Sequence, residues 1–103
     1  METQFKKGAM DLCVLSLLKE KDYYGYELVQ KISKYMEISE GTLYPILRRL
    51  KLEGYLKTAI RESNEGPSRK YYSLTRKGEE KEIELSKEWK SFVEKVSKMI
   101  NKK

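Results

Sequence analysis

The chain has no histidine and a single cysteine, Cys13, among its 103 residues. Without imidazole there is no Ser-His-Asp or Cys-His pair to make a nucleophile, and no histidine ligand for a metal. With one thiol there is no intrachain disulfide and no thiolate zinc site. Neither a G-x-G-x-x-G loop nor a Walker loop is present, and the carboxylates, lysines and tyrosines form no catalytic grouping. The expectation is a protein that is not an enzyme and needs no metal or cofactor. Long apolar runs are also missing. None approaches the roughly 20 residues that cross a bilayer, so no membrane partner is expected. Residues 1–7 carry an acid, and the apolar stretch after them lacks a small-residue cleavage site. No signal peptide is therefore expected, and the location predicted is cytoplasmic.

Positive charge is plentiful. Lys and Arg number 22 against 16 Asp and Glu, a net charge of +6. That balance favours an acidic partner, nucleic acid ahead of an anionic membrane surface. With 39% hydrophobic and 37% charged residues, the chain is too apolar for disorder and too polar for a membrane protein. Its length suits one small domain. Such a domain buries about two thirds of its unfolded surface, which leaves a modest core and favours association.

Apolar spacing predicts three helices in the first half. Ala9, Leu12, Cys13, Leu15, Leu17 and Leu18 define one over 6–19, apolar on most sides and hence buried or shared. Cys13 lies within that surface and reads as a small core residue. Leu28, Val29 and Ile32 define a second over 25–35. Of the tyrosines at its start, Tyr24 is expected in the core, with Tyr23 or Tyr26 left to reach a phosphate. Ser39 is a suitable N-cap for a third helix over 40–53, ended by Gly54. Leu43, Ile46, Leu47 and Leu50 fall at i, i+3, i+4 and i+7 and form its core stripe. The opposite face carries Gly41, Pro45, Arg48 and Leu52, flanked by Thr42, Tyr44 and Arg49. It holds no acid. Pro45 removes a ladder bond and crowds the preceding turn, a local rule broken without a folding benefit.

Residues 55–61 and 69–75 alternate in the manner of strands around the turn formers of 62–68, so a β-hairpin is predicted. Arg69 and Lys70 are expected where its tip meets the second strand. Thr75 can cap a last helix over 76–101. There Leu85, Trp89, Phe92, Val96 and Met99 step by 4, 3, 4 and 3, widened by Val93 and Ile100. This is a coiled-coil-like seam. The short preceding helices cannot cover it, so much of it is expected to meet a second chain.

Three helices followed by a charged hairpin describe a mainly α winged helix-turn-helix with a small β-hairpin. Residues 1–75 are assigned to the DNA-binding part and 76–103 to a C-terminal dimerisation helix, within one unit. The major groove of B-DNA admits one helix, whose N-terminal half meets base edges. Ser39, Gly41, Thr42, Tyr44, Pro45, Arg48 and Arg49 are the expected contacts from the third helix, and Arg69 and Lys70 those from the wing. An arginine pair on an amphipathic helix is ordinarily a solvated face. The capped start, the acid-free face and the wing that follows reverse that reading. The rival from another class is a winged-helix module that binds protein or RNA without specific DNA readout. Such a surface would more often mix charge signs or expose a larger apolar patch.

The motifs Tyr24-Gly25-Tyr26-Glu27-Leu28, Ser39-Glu40-Gly41-Thr42-Leu43-Tyr44-Pro45-Ile46-Leu47-Arg48-Arg49-Leu50, Glu53-Gly54 and Arg69-Lys70-Tyr71-Tyr72-Ser73-Leu74-Thr75, with Gly78, resemble those of PadR transcriptional regulators over nearly the whole chain. Ser68 departs from the Pro or Arg often found before the basic pair. The resemblance implies a prokaryotic winged-helix regulator, usually a repressor, of the smaller subtype with a single C-terminal helix. It implies a homodimer joined through that helix, reading a pseudo-palindromic operator in double-stranded DNA. It also implies an effector site at the dimer seam, where Trp89, flanked by Phe92 and Val93, would stack on a planar aromatic or hydrophobic small molecule. Simple dimer packing is the alternative role for Trp89.

Overall fold

The computed structural model describes residues 4–63 and 66–102, with side chains for 8–62 and 66–102. Its elements run α1 (Gln4–Glu20), β1 (Tyr23–Tyr24), α2 (Gly25–Ser33), α3 (Glu40–Leu52), β2 (Leu56–Ser63), β3 (Gly66–Leu74) and α4 (Arg76–Ile100). The strands form an antiparallel sheet in the order β1-β3-β2. This is the expected mainly helical fold with a small sheet. The hairpin of β2 and β3 is the wing.

Both caps read from the sequence are in place. The Ser39 hydroxyl accepts the Thr42 N–H at 3.2 Å, and the Thr75 hydroxyl accepts the Gly78 N–H at 3.0 Å. Each satisfies a donor that the first helical turn leaves orphaned. Gly54 ends α3 with φ +88°, a left-handed conformation that favours glycine. Its carbonyl accepts the Thr75 hydroxyl at 2.6 Å, and the Tyr55 carbonyl accepts the Thr75 N–H at 3.1 Å. The start of α4 is thereby fixed to the turn after α3.

The core joins Val14, Leu15 and Leu18 of α1, Leu28 and Ile32 of α2, the stripe Leu43, Leu47 and Leu50 of α3, and Tyr23, Leu56 and Tyr72 of the sheet. Cys13 is half-buried, and burial pushes its thiol above the ordinary range. That is unfavourable for a reactive thiolate. Glu82 of α4 is buried, accepting from the Ser16 hydroxyl at 3.2 Å and from Lys19 Nζ at 3.3 Å. This contact holds the base of α4 against α1.

Beyond Leu85, which still packs on the core, α4 extends away from it. Its 25 residues make a rod of about 37 Å. The chain measures 58 Å along its longest axis, with a radius of gyration of 15.4 Å, against about 13 Å for a compact chain of this length. Among the described residues, no helix is long and apolar enough to cross a membrane.

Two details differ from the sequence reading. Tyr23 and Tyr24 form a short strand paired with Tyr72 and Tyr71, so their side chains take opposite faces. The buried one is Tyr23, and Tyr24 stays half-exposed on the outer face. The wing strands also extend further than expected. Arg69 and Lys70 stand inside β3, opposite Arg61 and Ile60, instead of at its start. Residues 64 and 65 of the predicted loop lie outside the described residues.

Candidate nucleic-acid interface

The face of α3 opposite its core stripe is open. Ser39, Gly41, Thr42, Pro45 and Arg48 are exposed, and Tyr44 is half-buried. Pro45 sits one turn after Gly41. A proline ring crowds the carbonyl four residues earlier, and a glycine at that point adds no side chain to the crowding.

Between α3, the start of α2 and the wing lies a cleft of about 450 Å³, lined by Tyr24, Gly25, Tyr26, Tyr44, Arg48, Lys51, Arg69, Lys70 and Tyr72. Four cations and four phenols surround it, with no carboxylate among them. The structure thus brings together five of the residues singled out in the sequence: Tyr26, Tyr44, Arg48, Arg69 and Lys70. Burial, and then the charge of Glu40, push the Tyr44 phenol above its ordinary value. The Tyr72 phenol is raised by burial and then by Tyr44, against a lowering by Arg48. Both phenols therefore keep their protons at neutral pH and can donate to an anion.

The hydroxyl end of the Tyr44 ring comes close against Gly25. A Cβ at that position would stand 2.5 Å from Cε1 and 2.7 Å from the hydroxyl oxygen. Gly25 is buried at the start of α2, where the Glu27 carboxylate accepts the Tyr24 N–H at 3.1 Å. Sequence reasoning missed Gly25 as a site residue. The available signal was a glycine in the first turn of a helix, where it brings no capping side chain.

Arg49 departs from the expectation. Its guanidinium turns back onto α1, donating to Asp11 at 2.6 Å and to Glu53 at 3.5 Å. The bond to Asp11 is the main reason its pKa is raised further. Arg49 is tied to the body of the protein, while Arg48 faces the cleft. In the wing, Arg69 lies over the Tyr24 ring at 4.6 Å and Arg61 over the Tyr71 ring at 4.4 Å. Tyr24 and Tyr71 meet edge to face at 5.5 Å, and Arg61 pairs with Asp22 at 2.5 Å. These contacts across the outer face of the sheet fix the wing to the chain that enters α2.

The family model for the transcriptional regulator PadR-like family matches residues 14–84. The chain belongs to the PadR-like family. It is therefore a transcriptional regulator of a family whose members are not enzymes. A transcriptional regulator of Streptococcus shares 38% identity over 95% of this chain and 98% of its own, with a TM-score of 0.87. A PadR-like regulator of Bacillus cereus shares 33% identity over 98% of this chain and all of its own, with a TM-score of 0.89. A transcriptional regulator of Mycobacterium tuberculosis is 33% identical over 76 residues, 73% of this chain and 70% of that protein. The likeness to the Streptococcus and Bacillus cereus structures covers nearly the whole chain, and so takes in the helix-turn-helix, the wing and α4 together.

Along the exposed length of α4, Trp89, Phe92, Val93, Val96, Met99 and Ile100 form an apolar strip. Trp89 and Phe92 have ring centroids 6.4 Å apart. Leu85, placed in the same seam by its spacing, is instead partly buried on the core of its own chain. With Gly8, Ala9, Leu12, Glu88, Trp89 and Phe92 it lines a groove of about 240 Å³ between α1 and α4.

Proposed function

We propose that this PadR-like regulator is a cytoplasmic homodimer that represses transcription by binding a pseudo-palindromic operator. Residues 1–75 read the DNA, and 76–103 join the subunits. The observation that carries this reading is the acid-free cleft, where Arg48 and Lys51 of α3 stand beside Arg69 and Lys70 of the wing. One helix enters the major groove, and the wing lies over the backbone or the adjacent minor groove. Ser39, Gly41, Thr42 and Pro45 occupy the exposed start of α3, the part of a recognition helix that meets base edges. The exposed strip on α4 supplies the dimer contact. A two-fold dimer then reads half-sites about one helical turn, roughly 34 Å, apart. Arg49 serves this surface indirectly, through its tie to Asp11.

The test is a gel-shift titration on the protein's own promoter DNA against scrambled DNA at two salt concentrations. Arg48→Ala is expected to weaken operator binding by about 1–3 kcal/mol and to relax specificity, as for a bidentate base contact. Lys70→Ala should weaken every sequence alike and flatten the salt dependence. Salt-sensitive binding with no sequence preference in the wild type would overturn the operator reading.

The groove between α1 and α4 suits a planar aromatic or hydrophobic effector, with Trp89 and Phe92 as the contacts and Val93 next to them on the exposed strip of α4. Such a ligand releases DNA only if it binds the DNA-incompetent dimer more tightly. Trp89 emission reports its entry, since Trp89 is the only tryptophan. A planar cationic dye should change that emission and lower operator affinity together. No change in either across a panel of such dyes would remove the effector site.

A further inference from the structure

Tyr72 is more than nine-tenths buried, and its ring belongs to the core. Its hydroxyl has no hydrogen-bond partner among the described residues. No fully buried side-chain oxygen among them lacks a partner, so this hydroxyl opens into the cationic cleft that Tyr72 lines. A donor held in place by a core ring and opening among four cations, with no carboxylate in the lining, points to an anionic ligand. Tyr44 adds a second fixed donor, because its ring is seated on Gly25 and its hydroxyl is held beside the start of α2. Tyr44 and Arg48 are both near enough to Tyr72 to influence its phenol, Tyr44 raising it and Arg48 lowering it.

We propose that this cleft seats a single phosphodiester of the DNA backbone, its non-bridging oxygens accepting from the Tyr72 and Tyr44 hydroxyls and pairing with Lys70. The inference rests on the DNA-binding reading above and adds to it the place where one strand passes between α3 and the wing. A phosphodiester suits the cleft because it is anionic and offers only acceptors, while the walls offer donors and positive charge. Gly25 is a positioning residue. Any side chain there displaces the Tyr44 ring and closes the cleft from below.

The test uses operator duplexes that carry one neutral methylphosphonate linkage at a time, titrated with wild type and Tyr72→Phe. Tyr72→Phe keeps the core ring, so an unchanged melting temperature is expected. It should bind unmodified operator and scrambled DNA each about tenfold more weakly, the loss of one hydrogen bond to a charged group. In wild type, one linkage per half-site should cost a similar factor. At that linkage Tyr72→Phe should lose little more, while at other sensitive linkages it loses as much as wild type. Gly25→Ala should become insensitive at the same linkage. Wild-type affinity in Tyr72→Phe, or full additivity with every linkage, overturns the phosphate seat. In that case retained dependence on Arg48 leaves the operator reading standing. Failure of wild type to bind any duplex overturns both.

Discussion

Replacing Phe92 and Val96 with glutamate should convert the protein to a folded monomer that no longer shifts operator DNA at wild-type concentrations. Both side chains are partly exposed on the section of α4 that extends beyond the core, so the fold of the single chain does not depend on burying them. In a symmetric pair each substitution enters the interface twice. It replaces apolar contact with a carboxylate that must be desolvated or left wet, at a cost of several kcal/mol if unpaired. A rise in the dimer dissociation constant of about a thousandfold or more is expected, roughly 4 kcal/mol. Sedimentation at micromolar concentration measures it. Loss of the dimer also removes the gain from linking two half-site contacts, on the order of 10²–10⁴ in affinity. A variant that stays dimeric would remove this strip as the interface.

Gly78→Ala should destabilise the protein by about 3 kcal/mol, although alanine is intrinsically the better helix residue by about 1 kcal/mol. The sign is reversed by what surrounds the position. A Cβ on residue 78 would overlap the Tyr55 carbonyl oxygen and stand 3.1 Å from Leu74 Cδ2. That carbonyl cannot swing away freely, since it accepts the Thr75 N–H, and the Tyr55 N–H donates to the Leu50 carbonyl at 3.0 Å. Relief requires either loss of the Thr75 bond or a shift of the whole α4 start, in line with the overpacking costs of well-filled cores. For a chain of this size the melting temperature should fall by on the order of 12–20 °C. Comparison at fixed protein concentration is needed, because an associating protein melts at a concentration-dependent temperature. A shift under about 3 °C would show that the turn after α3 yields, and that the lock between Thr75 and the Gly54–Tyr55 turn is soft.

Much of this was legible before any coordinates. The i, i+3, i+4, i+7 stripe of Leu43, Ile46, Leu47 and Leu50 predicts the helix and its inward face, and three of the four are buried in the structure. Ser39, Gly54 and Thr75 mark helix ends because capping depends on bonds within three residues. Apart from the longer pairing of the wing strands, the contacts that differ from the sequence reading span long separations. Arg49 meets Asp11 across 38 positions; the periodicity of α3 sets it at the flank of the face that carries Arg48, but not which partner it takes. Tyr23 is buried and Tyr24 is not because β1 pairs with a strand nearly fifty residues later. Leu85 shares the spacing of the α4 seam, yet its height along α4 still overlaps α1.

By itself, the sequence determined the order of the four helices and the hairpin, the caps, the core stripe of α3 and the excess of positive charge on a winged-helix pattern. These depend on local backbone preferences and on periodicity, which neighbouring residues carry among themselves. Only the tertiary structure decided which arginine faces the cleft, that Gly25 makes room for Tyr44, and that the Tyr72 hydroxyl opens among the cations. Those outcomes depend on how α1, α2, α3 and the sheet close on one another. A side chain's direction is set there by partners far away in the chain, and local spacing holds no record of them.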